Sequence, residues 1–296
     1  MVRGTLAIGV DLIGKMIRTM RIIAVTNQKG GCGKTTTAVN LSAALAQMGY
    51  RILLIDLDPQ ANATIGLGFS PDAFRNTVYQ VLTGSEINIT ETVVRTRIEH
   101  LDLLPSNVML SGAEHDLYGS LGKELVLAEK LRAVQDTYDF CVIDCVPTVG
   151  ILALNALVAS TDVIVPVQVH FYAIHGLHRL LETIQVINKR FYPCTVQMLG
   201  FLLTFVDNRT SMSKRVVTGM RHYFKDLVFN SMIHSNISLA EAPANGESVF
   251  TYAAHSRGAR EYQSMTVESL YRLNRLEPLV NRSSGVLTPP CQNSAC

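Results

Sequence analysis

The chain of 296 residues has no cysteine pair at zinc-ligand spacing matched by a second such pair. That leaves a zinc-held module without its ligands. The cysteines at 32, 141, 145, 194, 291 and 296 read instead as reduced thiols of a cytosolic protein. A secretory leader is also missing. Leu6 to Val10 is a short apolar run that Asp11 cuts, and no cleavage pattern follows. Residues 1–19 are therefore expected to be a loose extension, or an upstream start with Met20 as the functional one. No apolar run spans a membrane cleanly. Ile151 to Val169 is long enough, but Asn155, Asp162 and Pro166 break it, so it reads as a helix followed by a buried strand. There is no internal repeat and no low-complexity linker. Net charge is nearly absent, at +2, and by itself points to no partner.

What is present is apolar content of 48%, enough for the full core of one large α/β domain. The charge is uneven along the chain. Residues 21–169 hold 10 Lys and Arg against 15 Asp and Glu, whereas 170–275 hold 12 against 7. A basic C-terminal half suits an anionic partner such as DNA, or ordinary solvated helix faces. Strand and helix patterns alternate. Strands are expected at 21–26, 51–55, 101–104, 140–143, 163–167, 196–206 and 227–230. Helices are expected at 34–48, 76–83, 111–118, 123–136, 151–159, 173–190, 211–225 and 258–274. Continuous apolar strands alternating with helices predict an α/β fold, a mostly parallel twisted sheet with helices on both faces. Residues 20–276 form the domain in this reading, and 277–296 a polar, disordered tail.

The chemistry concentrates at Lys29-Gly30-Gly31-Cys32-Gly33-Lys34-Thr35-Thr36. An apolar strand leads into this stretch and a helical pattern leads out, the context of a phosphate-binding loop. Glycines let the backbone N–H groups turn inward toward an anion, and the following helix adds its positive end. Lys34 can reach outer phosphates and the Thr35 hydroxyl can hold Mg²⁺. Two strands end in acids: Asp56 and Asp58 after Leu53-Leu54-Ile55, and Asp144 after Cys141-Val142-Ile143. Acids there suit Mg²⁺ ligation and a positioned water, and together with the loop they favour a nucleotide hydrolase. Lys29 is not needed to cradle phosphate within one chain. It is either a surface lysine or one offered to a nucleotide in a facing subunit.

Thr26 to Thr37 resembles the deviant Walker A loop of the ParA/Soj family of partition ATPases, in the MinD-like group. Asp56-Leu57-Asp58-Pro59-Gln60-Ala61-Asn62 resembles its switch I, and Tyr138 to Asp144 its Walker B strand. Val165-Pro166-Val167-Gln168 and Leu239-Ala240-Glu241-Ala242-Pro243 also match, so the resemblance runs from about Arg21 to Leu276. It implies an ATPase using ATP and Mg²⁺ that dimerises around two nucleotides. Lys29 reaches the partner's phosphates, and residues 30–36 bind the nucleotide. Thr35, Asp58 and Asp144 serve the metal, and Asp58 also positions the attacking water. It further implies non-specific DNA binding by the ATP dimer, a ParB-type partner that stimulates slow hydrolysis, and a cytoplasmic, nucleoid-associated location off the membrane.

The sequence departs from the family in places. Val146 replaces a proline in switch II, and His170 stands where glutamate is common. Ser235 and Ser238 replace arginines of the DNA surface, and His234 replaces a proline near the adenine. DNA binding is therefore expected to be weaker than usual and carried by Arg209, Lys214, Arg215, Arg221 and Lys225. Positions 214, 221 and 225 share one helix face by spacing. Three other readings stand beside it. One is a MinD-like membrane-associated relative, and another a reductase of the nitrogenase iron-protein kind. The third is an ATPase that positions polar or secretory cargo without DNA.

Overall fold

A computed structural model describes residues 20–283, apart from 85, 149, 171–175 and 192–193, with side chains to residue 275. The expected extension at 1–19 lies outside the described residues, as does the end of the tail. The described residues form one eight-stranded sheet. Its strands are β1 (Arg21–Val25), β2 (Ile52–Leu57), β3 (Val94–Arg95), β4 (Leu101–Leu104), β5 (Phe140–Cys145), β6 (Asp162–Gln168), β7 (Gln197–Val206) and β8 (Val228–His234). Their spatial order is β3-β4-β2-β5-β1-β6-β7-β8. Only β3 runs antiparallel, against β4. The expected parallel α/β class is the one observed.

Strand alternation sends side chains to two cores. Ala24, Leu53, Ile55, Cys141 and Ile143 face one side. Ile23, Val25, Leu54, Phe140 and Val142 face the other. On the second side lie α1 (Lys34–Gln47) and, at the end of the chain, the helix Arg257–Ser283. Between them in sequence come α2 (Asn62–Gly66), α3 (Val78–Thr83), α4 (Ala113–Asp116), α5 (Val126–Leu131), α6 (Ile151–Ala159), α7 (Leu177–Arg190) and α8 (Ser211–Phe224), so the last helix is α9. Helices α5 to α8 cover the first side. In α7, Leu177, Leu180, Ile184 and Ile187 are buried at helical spacing. In α9, Ala259, Tyr262, Met265, Leu270 and Leu273 pack on the sheet, and Tyr262 Oη lies 3.1 Å from Thr37 Oγ1 of α1.

The structure moves several boundaries. Strand β8 extends through polar Asn230 and Ser231, whose N–H groups each donate to Glu268 of α9 at 2.8 Å. A helix carboxylate thus covers the open edge of the sheet, which needs no apolar side chain there. Helix α9 runs to Ser283 rather than stopping at 274. Helix α8 stops at Phe224, because Lys225 takes φ 45°. The periodicity that placed Lys225 on one face with Lys214 and Arg221 therefore does not extend to it.

Parallel strands put all their C-terminal ends on one edge, and β1 ends there between β5 and β6. A crevice at that edge is where such sheets bind ligands. Gly200, in β7, has φ 156°, and a Cβ there would lie 2.6 Å from the Leu227 carbonyl oxygen. Backbone cannot yield as a flexible side chain can, so Gly200→Ala is expected to cost about 1–3 kcal/mol. The measurement is the urea midpoint; an unchanged midpoint contradicts the packing described.

Candidate functional site

The loop between β1 and α1 curls because Gly31 and Gly33 take φ 69° and 87°, conformations that side chains disfavour. Gly33 is the N-cap of α1 and has no capping side chain. The helix therefore starts with donors directed at the loop, the arrangement that attracts an anion. Asn27 holds the entry to the loop. Its Nδ2 donates to the Pro166 carbonyl at 2.7 Å and its Oδ1 accepts from Lys29 N at 3.1 Å. Thr204 Oγ1 donates to the Cys32 carbonyl at 2.8 Å, anchoring the far side to β7.

A cavity of about 550 Å³ opens over this loop. Gly30, Gly31, Gly33, Lys34, Thr35, Thr36 and Asp58 line it, as the sequence leads one to expect. Lys34 is buried, and its ammonium donates to the Lys29 carbonyl at 3.1 Å. Cys32 is not among the residues that line the cavity. Its thiol is buried and turned to the Lys29 carbonyl, and burial pushes its pKa up.

Two carboxylates stand beside the loop on adjacent strands. Asp144 of β5 is in register with Val25 on one side and with Asp56 of β2 on the other. Asp56 accepts from Thr64 N and Thr64 Oγ1, both at 2.8 Å, and from Asp58 N at 3.3 Å. It serves as the anchor of switch I and the start of α2. Burial still holds its pKa above the ordinary value. Asp144 has weaker support, from the Thr35 hydroxyl and the Lys34 charge rather than from backbone donors. Both its oxygens are buried without a hydrogen-bond partner. Burial, and then Asp56, hold its pKa well above the usual carboxylate range, while Thr35 and Lys34 pull the other way. A carboxylate so placed is satisfied by a cation. Among the described residues no cluster of three His, Cys, Asp or Glu could hold a metal alone. That donor set suits Mg²⁺, which takes one or two protein oxygens and fills its shell with water and phosphate.

Asp58 is held by its neighbours. Its Oδ1 accepts from Gln60 N at 2.9 Å, and its carbonyl accepts from Ser106 Oγ at 2.8 Å. Ser106 N in turn donates to Thr64 Oγ1 at 3.0 Å. No spacing in the sequence marked Thr64 or Ser106. Phe205 was missed as well: it takes φ 52° at the end of β7 and lines the cavity. Lys29 is not in this cavity. It is exposed, and its ammonium donates to Gln168 Oε1 at 2.8 Å, beside His170.

The expected basic residues lie at the far end of β7 and on α8. Lys214, Arg215 and Lys225 are exposed. Arg209 is exposed too, but its guanidinium donates twice to Asp207 at 2.9 Å. Arg221 reaches Asn230 at 3.3 Å. His234 is buried, with its ring Nδ1 2.7 Å from Glu261 Oε1 and Nε2 3.0 Å from Asn208 Nδ2.

Residues 20–197 match a family described as an AAA domain. The chain is 42% identical over 248 residues to the sporulation initiation inhibitor protein Soj of Bacillus subtilis, covering 84% of this chain and 97% of that one. It is 39% identical over 252 residues to the chromosome partitioning protein ParA of Myxococcus xanthus, covering 85% and 88%. Among solved structures it resembles a cobyrinic acid a,c-diamide synthase of Mycobacterium smegmatis with bound ATP analogue and magnesium. The TM-score is 0.73 at 34% identity, covering 92% of this chain and all of that one. The cell division ATPase MinD of Pyrococcus furiosus matches with a TM-score of 0.67 at 25% identity, covering 86% and 99%.

Thr64→Val keeps the shape and removes the hydroxyl shared by Asp56 and Ser106. It is expected to destabilise the protein by about 1–3 kcal/mol through the buried groups left unpaired. Denaturant unfolding checks this, and a loss below about 0.3 kcal/mol contradicts the network.

Proposed function

The chain belongs to the ParA/Soj family of partition P-loop ATPases, and we propose that it is an ATP-gated dimeric switch acting in chromosome or plasmid partitioning. The observation that carries the ATP site is the pairing of the curled loop with the unpartnered, buried Asp144 carboxylate. Backbone N–H groups of residues 30–36 bind the phosphates, and Lys34 turns from the Lys29 carbonyl to the outer ones. Thr35, Asp58 and Asp144 would hold Mg²⁺. When bound, Mg²⁺ neutralises charge on the outer phosphate oxygens. Asp58, fixed by Gln60 and Ser106, positions the attacking water. Lys29 leaves Gln168 to meet the phosphates of a facing copy, so that ATP joins two subunits.

The dimer offers Lys214, Arg215 and Lys225 to DNA, with Arg209 and Arg221 available once they leave their acceptors. Each phosphate contact adds affinity that salt removes. With serines at 235 and 238, binding is weaker than in a relative carrying arginines there. A ParB-type partner stimulates hydrolysis and ends the bound state, and the protein works on the nucleoid in the cytoplasm. A second reading, an ATPase that positions cargo without DNA, is favoured by those two serines and by the Arg209–Asp207 pairing. Two others lose ground. Ala259, Tyr262, Met265, Leu270 and Leu273 of α9 face the core, and among the described residues no helix is long and apolar enough to cross a membrane. Cys141 and Cys145 are buried in the sheet, away from any surface where a cluster could bridge subunits.

Lys34→Ala is expected to abolish ATP binding by equilibrium dialysis, and Asp58→Ala to bind ATP without hydrolysing it. Normal turnover by Asp58→Ala removes its role with water. Co-sedimentation of Asp58→Ala with non-specific DNA and ATP, with and without Lys214→Glu and Lys225→Glu, tests the surface. Retention that survives both reversals overturns the DNA assignment, and no retention at any salt favours the second reading.

A further inference from the structure

Helix α6 (Ile151–Ala159) begins where the switch II segment after Asp144 ends, and its start is capped from elsewhere. Its N-cap residue is Gly150, which has no side chain to accept from the first turn. The acceptor is Glu114 of α4, whose Oε1 takes the Ile151 N–H at 3.1 Å. Carboxylates suit this position for two reasons: they accept an orphan donor and they face the positive end of the helix. Gly150 has φ −150° and ψ −169°, an extended conformation that any residue adopts. Its backbone therefore does not call for glycine. The space does, because a Cβ at 150 would overlap the Glu114 carboxylate. Helix α4 is itself held, since Tyr79 Oη donates to Asp116 Oδ2 at 2.6 Å. Further along α6, Asn155 accepts from Leu127 N at 3.0 Å and donates to the Lys123 carbonyl at 2.8 Å. The segment from α4 to α5 thus grips α6 at its first turn and at its middle.

Pro147 lies just before these anchors, between β5 and α6. It follows the buried Asp144 and lines the nucleotide cavity. We propose that Glu114 is a positioning residue for ATP hydrolysis: by capping α6 across the Gly150 gap it fixes the start of that helix, and through it the placement of Pro147 at the mouth of the site. This rests on the ATPase reading above. Glu114 does not line the cavity and touches no nucleotide-binding residue, so its effect falls on turnover and not on ATP affinity.

The test is a double-variant cycle with two readouts, hydrogen exchange of the nucleotide-free full chain and steady-state ATP hydrolysis. An alanine at 150 pushes the flexible carboxylate aside, so Gly150→Ala acts as removal of the cap. Glu114→Ala and Gly150→Ala are each expected to speed exchange of the Ile151 amide about fivefold, the effect of losing one N-cap. Both lower kcat several-fold with KM for ATP unchanged, and the double variant is no worse than either single one. Glu114→Gln keeps an acceptor oxygen and recovers most of the exchange protection. The proposal is overturned if the two losses add, if Gly150→Ala behaves as wild type, or if exchange speeds up while kcat stays put. Absence of ATP turnover in the wild type sinks the ATPase reading instead, and the exchange measurement still reports whether the cap exists.

Discussion

Two buried carboxylates side by side on the sheet, Asp56 on β2 and Asp144 on β5, are the constraint on which the rest of the site depends. Like charges buried in adjacent strands cost several kcal/mol unless each finds compensation. Asp56 finds it within the chain, in Thr64 and Asp58 N, and so becomes the anchor of switch I. Asp144 does not: its buried oxygens accept no backbone N–H, only Thr35 and Lys34 favour its charged form, and the proposed Mg²⁺ would supply the rest. One carboxylate organises the protein, and the other is left for the proposed cation. That division explains why a buried lysine, a half-buried threonine and a glycine-capped helix converge on the same edge.

Much of this was legible in the sequence because it is local. The phosphate loop is eight consecutive residues, and each acid directly ends an apolar run. Parallel order followed from strands with apolar residues on both faces. What was not legible depends on partners brought together by topology. Ser106 meets Thr64 across 42 positions, Glu114 meets Ile151 across 37, and Lys29 meets Gln168 across 139. None of these pairs has a spacing signature. Lys225 fell off the expected face for a different reason: a helical period holds only while the helix does, and α8 ends at Phe224. Strand β8 was read short because Asn230 and Ser231 are polar, whereas Glu268 is what covers them.

In the function proposed above, Lys29 links the site to assembly. In the single chain its ammonium rests on Gln168, outside the nucleotide cavity but beside the loop that forms it. A lysine so exposed adds nothing to phosphate binding in its own subunit. In the proposed dimer it meets the phosphates of the second copy, and nucleotide binding becomes a signal carried by a surface. In the proposed dimer the basic residues of α8 are present twice, and weak contacts count double.

The most direct measurement is the solution mass of the protein with Mg²⁺ and a non-hydrolysable ATP analogue, for the wild type and for Lys29→Ala. The wild type is expected to double in mass, while Lys29→Ala binds the analogue and stays a monomer. Dimerisation of Lys29→Ala as complete as that of the wild type would contradict it.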